Sequence, residues 1–294
     1  MGENVKQQLE QLQQDNNFPG LERLVKLAEN LGINRRAVKK FLHNDLVSQQ
    51  TKVQHKTKKG KSKNGGHVTA FKENELWNVD IYDMTAWQKG NDGYKYYLVC
   101  IDVFTRKAYG EIMKNKDSIS SRVAMTSILN NVGAKPRSML IDNDAGFLSS
   151  DGSTGETFSA MLEKKGIALQ TNALKDHKAM GIIDNFAKRL QRTIKATMLR
   201  TNSLKWIDKV DGIVAQYNKT PNSAIGGKTP NEASEPANYQ EILDMSVNKI
   251  QDNKTSTDLT EGDKVRVNVL KNNANSKGTD PKWSGKVHTV RPTQ

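Results

Sequence analysis

The sequence predicts an α/β fold built on a five-stranded mixed sheet with flanking helices. Apolar alternation with a period of two marks strands at 76–84, 95–104 and 107–113. Short apolar runs at 138–142 and 167–171 then alternate with helical patterns at about 117–131, 155–165, 178–201 and 204–219. A three-strand meander followed by alternating helices and strands is the order expected of a mixed sheet covered on both faces. At 294 residues the chain has room for two or three domains.

Taken in order, residues 1–17 are rich in Gln and Asn and are expected to be mobile or weakly helical. From Phe18 to Asn44 the pattern is two short helices, and 1–44 forms a small helical domain. Leu21, Leu24, Val25, Leu27, Ala28 and Leu31 give the first helix its apolar face, and Gly32-Ile33-Asn34 makes the turn. Asn34 can cap the second helix, where Val38, Phe41 and Leu42 are apolar and Arg35, Arg36, Lys39 and Lys40 are basic. That pattern reads as a helix-turn-helix whose second helix meets DNA, with an ordinary helical hairpin carrying a solvated basic face as the alternative.

Residues 45–72 read as a linker. Between Thr51 and Gly65 lie lysines 52, 56, 58, 59, 61 and 63 and no acidic residue, with too little apolar surface to fold alone. The segment is a tether; Lys58, Lys59 and Lys61 are candidate phosphate contacts, and a nuclear-localisation signal is a third reading. The core spans 73–236, a second linker 237–257, and a last domain 258–294. In that last domain D-L-T-E-G-D-K-V-R-V-N-V at 258–269 reads as a turn and a strand, and Trp283 to Val290 as another strand.

Three acidic residues in the core point to chemistry. Asp80 interrupts the strand Trp77, Val79, Ile81; Asp142 ends the apolar run Met139-Leu140-Ile141. Asp184 stands near the start of a helix whose apolar stripe is Ile183, Phe186, Leu190, Ile194 and Met198. Lys188, Gln191 and Lys195 share a side of that helix with Asp184, away from the stripe. Two strand-end carboxylates and a helical one beside lysines suit a pair of Mg²⁺ or Mn²⁺ ions acting on a phosphodiester. Asp83 and Asp144 are the main false candidates, Asp144 because two residues past a strand end it should point elsewhere unless loop geometry reverses it. Asp102 reads as a structural strand residue.

Several motifs in order carry a resemblance: W-N-V-D at 77–80, I-D-N-D-A-G-F at 141–147, G-I-I-D-N-F-A-K-R-L at 181–190, Tyr217-Asn218, and G-G-K-T-P-N-E at 226–232. With these the segment from Glu75 to about Ser234 resembles the catalytic core of retroviral-type integrases and transposases, the D,D-35-E superfamily. The phrases N-D-G-Y-K-Y at 91–96, I-D-V-F-T-R-K-A at 101–108 and G-T-D-P-K-W-S at 278–284 are most similar to integrases of Maverick/Polinton elements and virophages. The resemblance implies a ribonuclease-H-like core in which the first strand is central and the fourth beside it, bringing Asp80 and Asp142 together. It implies 3′-end processing and strand transfer, catalysed by Asp80, Asp142 and Asp184 with two metal ions. It also implies end contacts from Lys188 and Gln191, an SH3-like C-terminal barrel left incomplete at Gln294, and a homo-oligomer, a tetramer, on double-stranded DNA. The chain departs from the family in carrying Asp184 where most members have Glu. It also departs in having 41 residues between Asp142 and Asp184, with the extra length in the Gly/Ser-rich loop at 149–155. The first departure keeps open a non-catalytic DNA-binding protein derived from a mobile element; a nuclease that cuts without joining is a third reading.

Composition agrees with a nucleic-acid partner. Lys and Arg total 45 against 32 acidic residues, a net charge of +13, which favours phosphates with little sequence preference. Cys100 is the single cysteine, which excludes a disulfide framework and a His/His/Cys/Cys zinc site. The start of the chain is polar rather than a signal peptide and no run is apolar enough to span a bilayer, so the expected location is intracellular, in a host nucleus.

Overall fold

Alternating side chains on the first core strand decide the layering. In β1 (Leu76–Asp83) Trp77, Val79 and Ile81 face one way, while Leu76, Asp80 and Tyr82 face the other. The chain continues through β2 (Tyr96–Asp102), β3 (Ala108–Met113), β4 (Ser138–Ile141) and β5 (Ala168–Thr171), giving the sheet order β3-β2-β1-β4-β5. The meander pairs are antiparallel, and β4 and β5 add in parallel, so the sheet is mixed with β1 at its centre. This computed structural model describes residues 2–51, 68–142, 144–148, 156–171, 179–253, 261–268 and 283–290. Each of the five expected core strands forms within two residues of its predicted limits.

The helices are α1 (Glu3–Asp15), α2 (Leu21–Glu29), α3 (Arg35–Asn44), α4 (Leu46–Gln50), α5 (Ser118–Val132), α6 (Ala145–Leu148) and α7 (Phe158–Lys164). They continue as α8 (Gly181–Thr201), α9 (Val210–Asn218), α10 (Pro230–Ala233) and α11 (Tyr239–Asn253). Trp77, Val79 and Ile81 pack with α5, α6 and α7, and the opposite face of the sheet packs with α8 and α9. The five stripe residues of α8 are all at most 6% exposed. At roughly 1.5–3 kcal/mol each, they make this helix the main clamp on the sheet.

Two local devices fix the sheet edge. Asn218, at the end of α9, accepts from the Ala108 N–H (2.9 Å) and donates to the Ala108 carbonyl (2.8 Å), tying β3 to the helix layer. Gly110 lets the Tyr97 ring lie over β3; a Cβ there would stand 2.3 Å from the ring.

Of the two readings of residues 1–17, mobile or weakly helical, the structure has the helix. The Gln-rich start forms the 13-residue helix α1, because Val5, Leu9 and Leu12 fall on one face and join α2 and α3 in a small core with Leu24, Ala28, Val38 and Phe41. Asn34 caps α3 as predicted, accepting from the Ala37 N–H at 3.0 Å. Leu31 is exposed. The segment read as linker begins instead with α4, capped by Asp45. These helices dock on the far side of α8, where Phe18 and Val47 cover Ala196. Arg200, near the end of α8, is bound by Asp45 (2.8 Å), Gln13 (2.7 Å) and Glu10 (3.2 Å).

Residues 237–257, expected to be polar linker, instead carry α11, anchored by Ile242 in the core and by Tyr239, whose ring packs edge-on to Phe104. The chain divides into two compact units, Met1–Val247 and Asn248–Gln294. In the second, β6 (Lys264–Asn268) and β7 (Trp283–Thr289) pair antiparallel, with an irregularity between Arg266 and Asn268. Among the described residues these two strands are all of its sheet, and they do not close a barrel. No described helix is long and apolar enough to cross a membrane.

Candidate active site

The parallel pairing of β1 with β4 ends at Val79 opposite Ile141. One step further along each strand stand Asp80 and Asp142, both turned from the α5 face to the α8 face, on strands roughly 4.8 Å apart. Asp142 is exposed at the carboxyl end of β4, whereas Asp80 is partly buried.

The third acid is brought in by a tyrosine that sequence reasoning did not single out. Tyr82 shares the face of Asp80, and its hydroxyl donates to the Ile183 carbonyl at 3.0 Å, pinning the first turn of α8 over β1. Asp184, the next residue, therefore lies over Asp80, close enough that its charge acts on both Asp80 and Tyr82. Burial of the tyrosine, then the charges of Asp80 and Asp184, hold its hydroxyl protonated as a donor.

Asp80 is poorly satisfied for a buried carboxylate. Among the described residues its one hydrogen-bond donor is the N–H of Ile81, at 2.8 Å. Burial pushes its carboxyl up to about 6, and the charges of Asp144 and Asp184 push the same way; the Ile81 N–H and Lys116 pull it back. Like charges gathered on a half-buried carboxylate are the electrostatic signature of a site that stabilises a cation.

At Asp144 the loop takes the reversed course that the sequence left open. The Asp144 N–H donates to the Asp142 carbonyl at 2.7 Å, a reversal immediately past the strand end that returns its carboxylate toward Asp80. One oxygen accepts from the Gly146 N–H (2.8 Å), and the other pairs with Lys116. Lys116 was missed because it lies between β3 and α5 with no motif around it. Asp83 stays local, accepting from the Thr85 N–H at 2.8 Å.

Asp102 is the structural residue expected. Fully buried, it accepts from Asn74 N–H (2.8 Å), Thr105 N–H (2.6 Å) and the Thr105 hydroxyl (2.8 Å), closing the turn between β2 and β3.

Lys188, Gln191 and Lys195 are exposed along α8 beyond Asp184, and Arg36, Lys39 and Lys40 are exposed on α3. Arg35 is held in a bidentate pair with Glu22 (2.6 and 2.5 Å), so it is not free for phosphate in this state. Lys58, Lys59 and Lys61 lie outside the described residues, as does the loop at 149–155.

Among the described residues no three His, Cys, Asp or Glu side chains form a ready-made metal cage. Magnesium-type cations nevertheless take only one or two carboxylates, with water and phosphate oxygen completing the shell. Asp80 with Asp184 above it and Asp142 beside it suits that donor set.

The chain is 25% identical over 250 residues to the retrovirus-related Pol polyprotein of transposon 297 of Drosophila melanogaster, covering 80% of this chain and 21% of the polyprotein. Its fold is retroviral-integrase-like. It thus spans about a fifth of that relative's length. A transposon-derived protein of Caenorhabditis elegans is 22% identical over 210 residues, covering 71% of this chain and 67% of the relative. A chain in the cryo-EM structure of a simian T-cell lymphotropic virus intasome, in complex with a PP2A regulatory subunit, superposes with a TM-score of 0.50 at 14% identity. That superposition covers 74% of this chain and 71% of the other. The catalytic core of HTLV-2 integrase in complex with magnesium aligns with 55% of this chain and 97% of its own, at 18% identity and a TM-score of 0.43. No protein-family model matches the chain.

Proposed function

We propose that this chain is the integrase of a mobile element or virus, a polynucleotidyl transferase that trims the 3′ ends of element DNA and joins them to target DNA. The observation that carries the reading is Asp80, a half-buried carboxylate with one donor among the described residues, set among acids at the edge where β1 meets β4. Asp80, Asp142 and Asp184 would hold two Mg²⁺ or Mn²⁺ ions, which supply Lewis-acid polarisation of a phosphate and activation of the attacking oxygen. Tyr82 fixes the height of Asp184 over Asp80 through the Ile183 carbonyl. Lys188, Gln191 and Lys195, exposed on the same helix, would lie along the backbone of the element end. Arg36, Lys39 and Lys40 on α3, with Lys58, Lys59 and Lys61 beyond it, would add phosphate contacts whose strength falls with salt. The narrower similarity to Maverick/Polinton and virophage integrases, a helix-turn-helix reading for α2 and α3, and an SH3-like second unit belong to the same proposal. So do a tetramer on paired DNA ends and a nuclear site of action.

A duplex carrying element-end sequence, incubated with supercoiled plasmid and Mg²⁺ or Mn²⁺, tests it. Metal-dependent joined products that vanish in Asp80→Asn are expected; cutting without joining would indicate a nuclease. Aspartate in place of the usual glutamate at 184 favours a second reading, a DNA-binding protein that has lost chemistry. Binding without cutting or joining, unrescued by Asp184→Glu, would establish that second reading.

A further inference from the structure

On the opposite side of α8 from the N-terminal reach of Asp184, the docked N-terminal helices enclose a cavity of about 170 Å³. Three arginines line it: Arg23 from α2, and Arg189 and Arg192 from α8. Among the described residues no carboxylate lines it. Arg192 donates to the Phe18 carbonyl at 2.7 Å, and Arg189 stacks over the Tyr217 ring with its guanidinium carbon 5.2 Å from the centroid. Neither contact neutralises a charge. The buried Nε of Arg23 has no partner among the described residues.

Uncompensated cations in a partly enclosed space are expensive. Burial, and then the charge of Arg189, make both Arg23 and Arg192 easier to deprotonate than an ordinary guanidinium. The start of α2 adds to the same field. Gly20, which precedes the helix and borders the cavity, offers no side-chain cap, so the first-turn N–H groups keep their positive end directed to the same region. An arrangement with three guanidiniums, a helix start and no acid lacks one component, an anion. The volume suits a phosphate or a diphosphate, and guanidinium forks match phosphate oxygens in pairs.

We propose that this cleft binds a phosphate group, bridging the N-terminal helices to the catalytic core. The ligand chemistry is a phosphate dianion or diester, whose source is either a free phosphate or the backbone of bound DNA. Because Arg23 comes from one module and Arg189 and Arg192 from the other, the site exists only when the two are docked. Occupancy therefore strengthens that docking by linkage. The inference is independent of the integrase reading, since it concerns neither Asp80 nor any reaction.

The test uses the full chain in EDTA, with sodium pyrophosphate and inorganic phosphate compared against sodium chloride at matched ionic strength. Pyrophosphate is expected to raise Tm of the wild type and of Asp80→Asn alike. Arg23→Gln and Arg189→Gln should lose most of that rise, with affinity by calorimetry weakened roughly ten-fold or more. Arg23→Gln should be at least as stable as wild type in chloride alone, because it removes a repelling charge, whereas Arg189→Gln also gives up the stack on Tyr217; Arg23→Lys should retain part of the response and guards against a folding defect. DNA titrations identify the source. If Arg23→Gln also weakens duplex binding and lowers its salt slope by about one, the phosphate belongs to DNA. If duplex binding is unchanged while pyrophosphate binding is lost, the ligand is a free phosphate. An unresponsive wild type together with unchanged DNA binding by Arg23→Gln overturns the proposal, as does a pyrophosphate response equal in Arg23→Gln and wild type.

Discussion

Asp80 and Asp102 are both withdrawn from solvent on adjacent strands of one sheet, yet the protein treats them oppositely. Asp102 receives three donors within 2.8 Å, two from backbone and one from a hydroxyl, and spends them on closing a turn. Asp80 receives one donor among the described residues and is set among the charges of Asp144 and Asp184. A buried carboxylate that has its donors is finished as structure, whereas one short of donors and crowded by acids is finished only by a cation. The distinction lies in donors rather than burial, which is why depth in the sheet alone does not mark the functional acid.

The contrast can be broken most severely at Asp102. Asp102→Ala leaves two N–H groups and a hydroxyl unpaired in the interior and should cost about 3 kcal/mol by urea denaturation. An effect below 1 kcal/mol would mean the turn does not depend on it. Asp80→Asn should act in the opposite direction. With its folded carboxyl at about 6 against an ordinary 3.8, Asp80 holds its proton in the native state between those values while the unfolded chain has lost it. Stability therefore falls as pH rises across that window, and the full penalty applies above it. Asp80→Asn in metal-free protein should thus gain on the order of 1–2 kcal/mol at pH 7.5 and nothing at pH 3.5. A loss at neutral pH would contradict the picture of Asp80 as a destabilised charge.

Tyr82→Phe sharpens the comparison. It removes the bond to the Ile183 carbonyl while keeping the ring, and should cost about 1 kcal/mol. Joining activity should fall by more than this stability loss accounts for, since Asp184 loses its reference to β1. Activity equal to wild type would mean α8 is positioned by its apolar stripe alone. The smallest effect is expected from Lys116→Ala. Its pair with Asp144 is about a third exposed on the lysine side, so stability should change by less than about 1 kcal/mol.

Much of this was legible in the sequence because its signals were periodic. The alternation of Trp77, Val79 and Ile81 and the stripe from Ile183 to Met198 set strand and helix faces, and Asn34 marked its helix start through capping chemistry. The polar helix α11 was missed, and α1 was read only as mobile or weakly helical, because each has few side chains buried among the described residues, Leu9 and Gln13 in α1 and Ile242 within α11, amid Gln, Asn and charge. The direction of Asp144 was left open because alternation does not decide whether the chain reverses just past a strand end. Lys116 and Tyr82 reach the site through tertiary contacts that carry no local pattern. The docking of the N-terminal helices on α8 depends on pairs such as Arg200 with Asp45, 155 residues apart in the chain.

The central claim is that Asp80 is completed by a divalent cation, and thermal unfolding with and without Mn²⁺ at pH 7.5 tests it most directly. Asp83→Asn serves as control, since Asp83 is satisfied by Thr85. Mn²⁺ should raise Tm of the wild type and of Asp83→Asn, and this gain should fade as pH falls through about 6, where protons compete for Asp80. Asp80→Asn should begin with a higher metal-free Tm and gain little from Mn²⁺. An equal Mn²⁺ response in Asp80→Asn and wild type, or none in the wild type, would contradict the account.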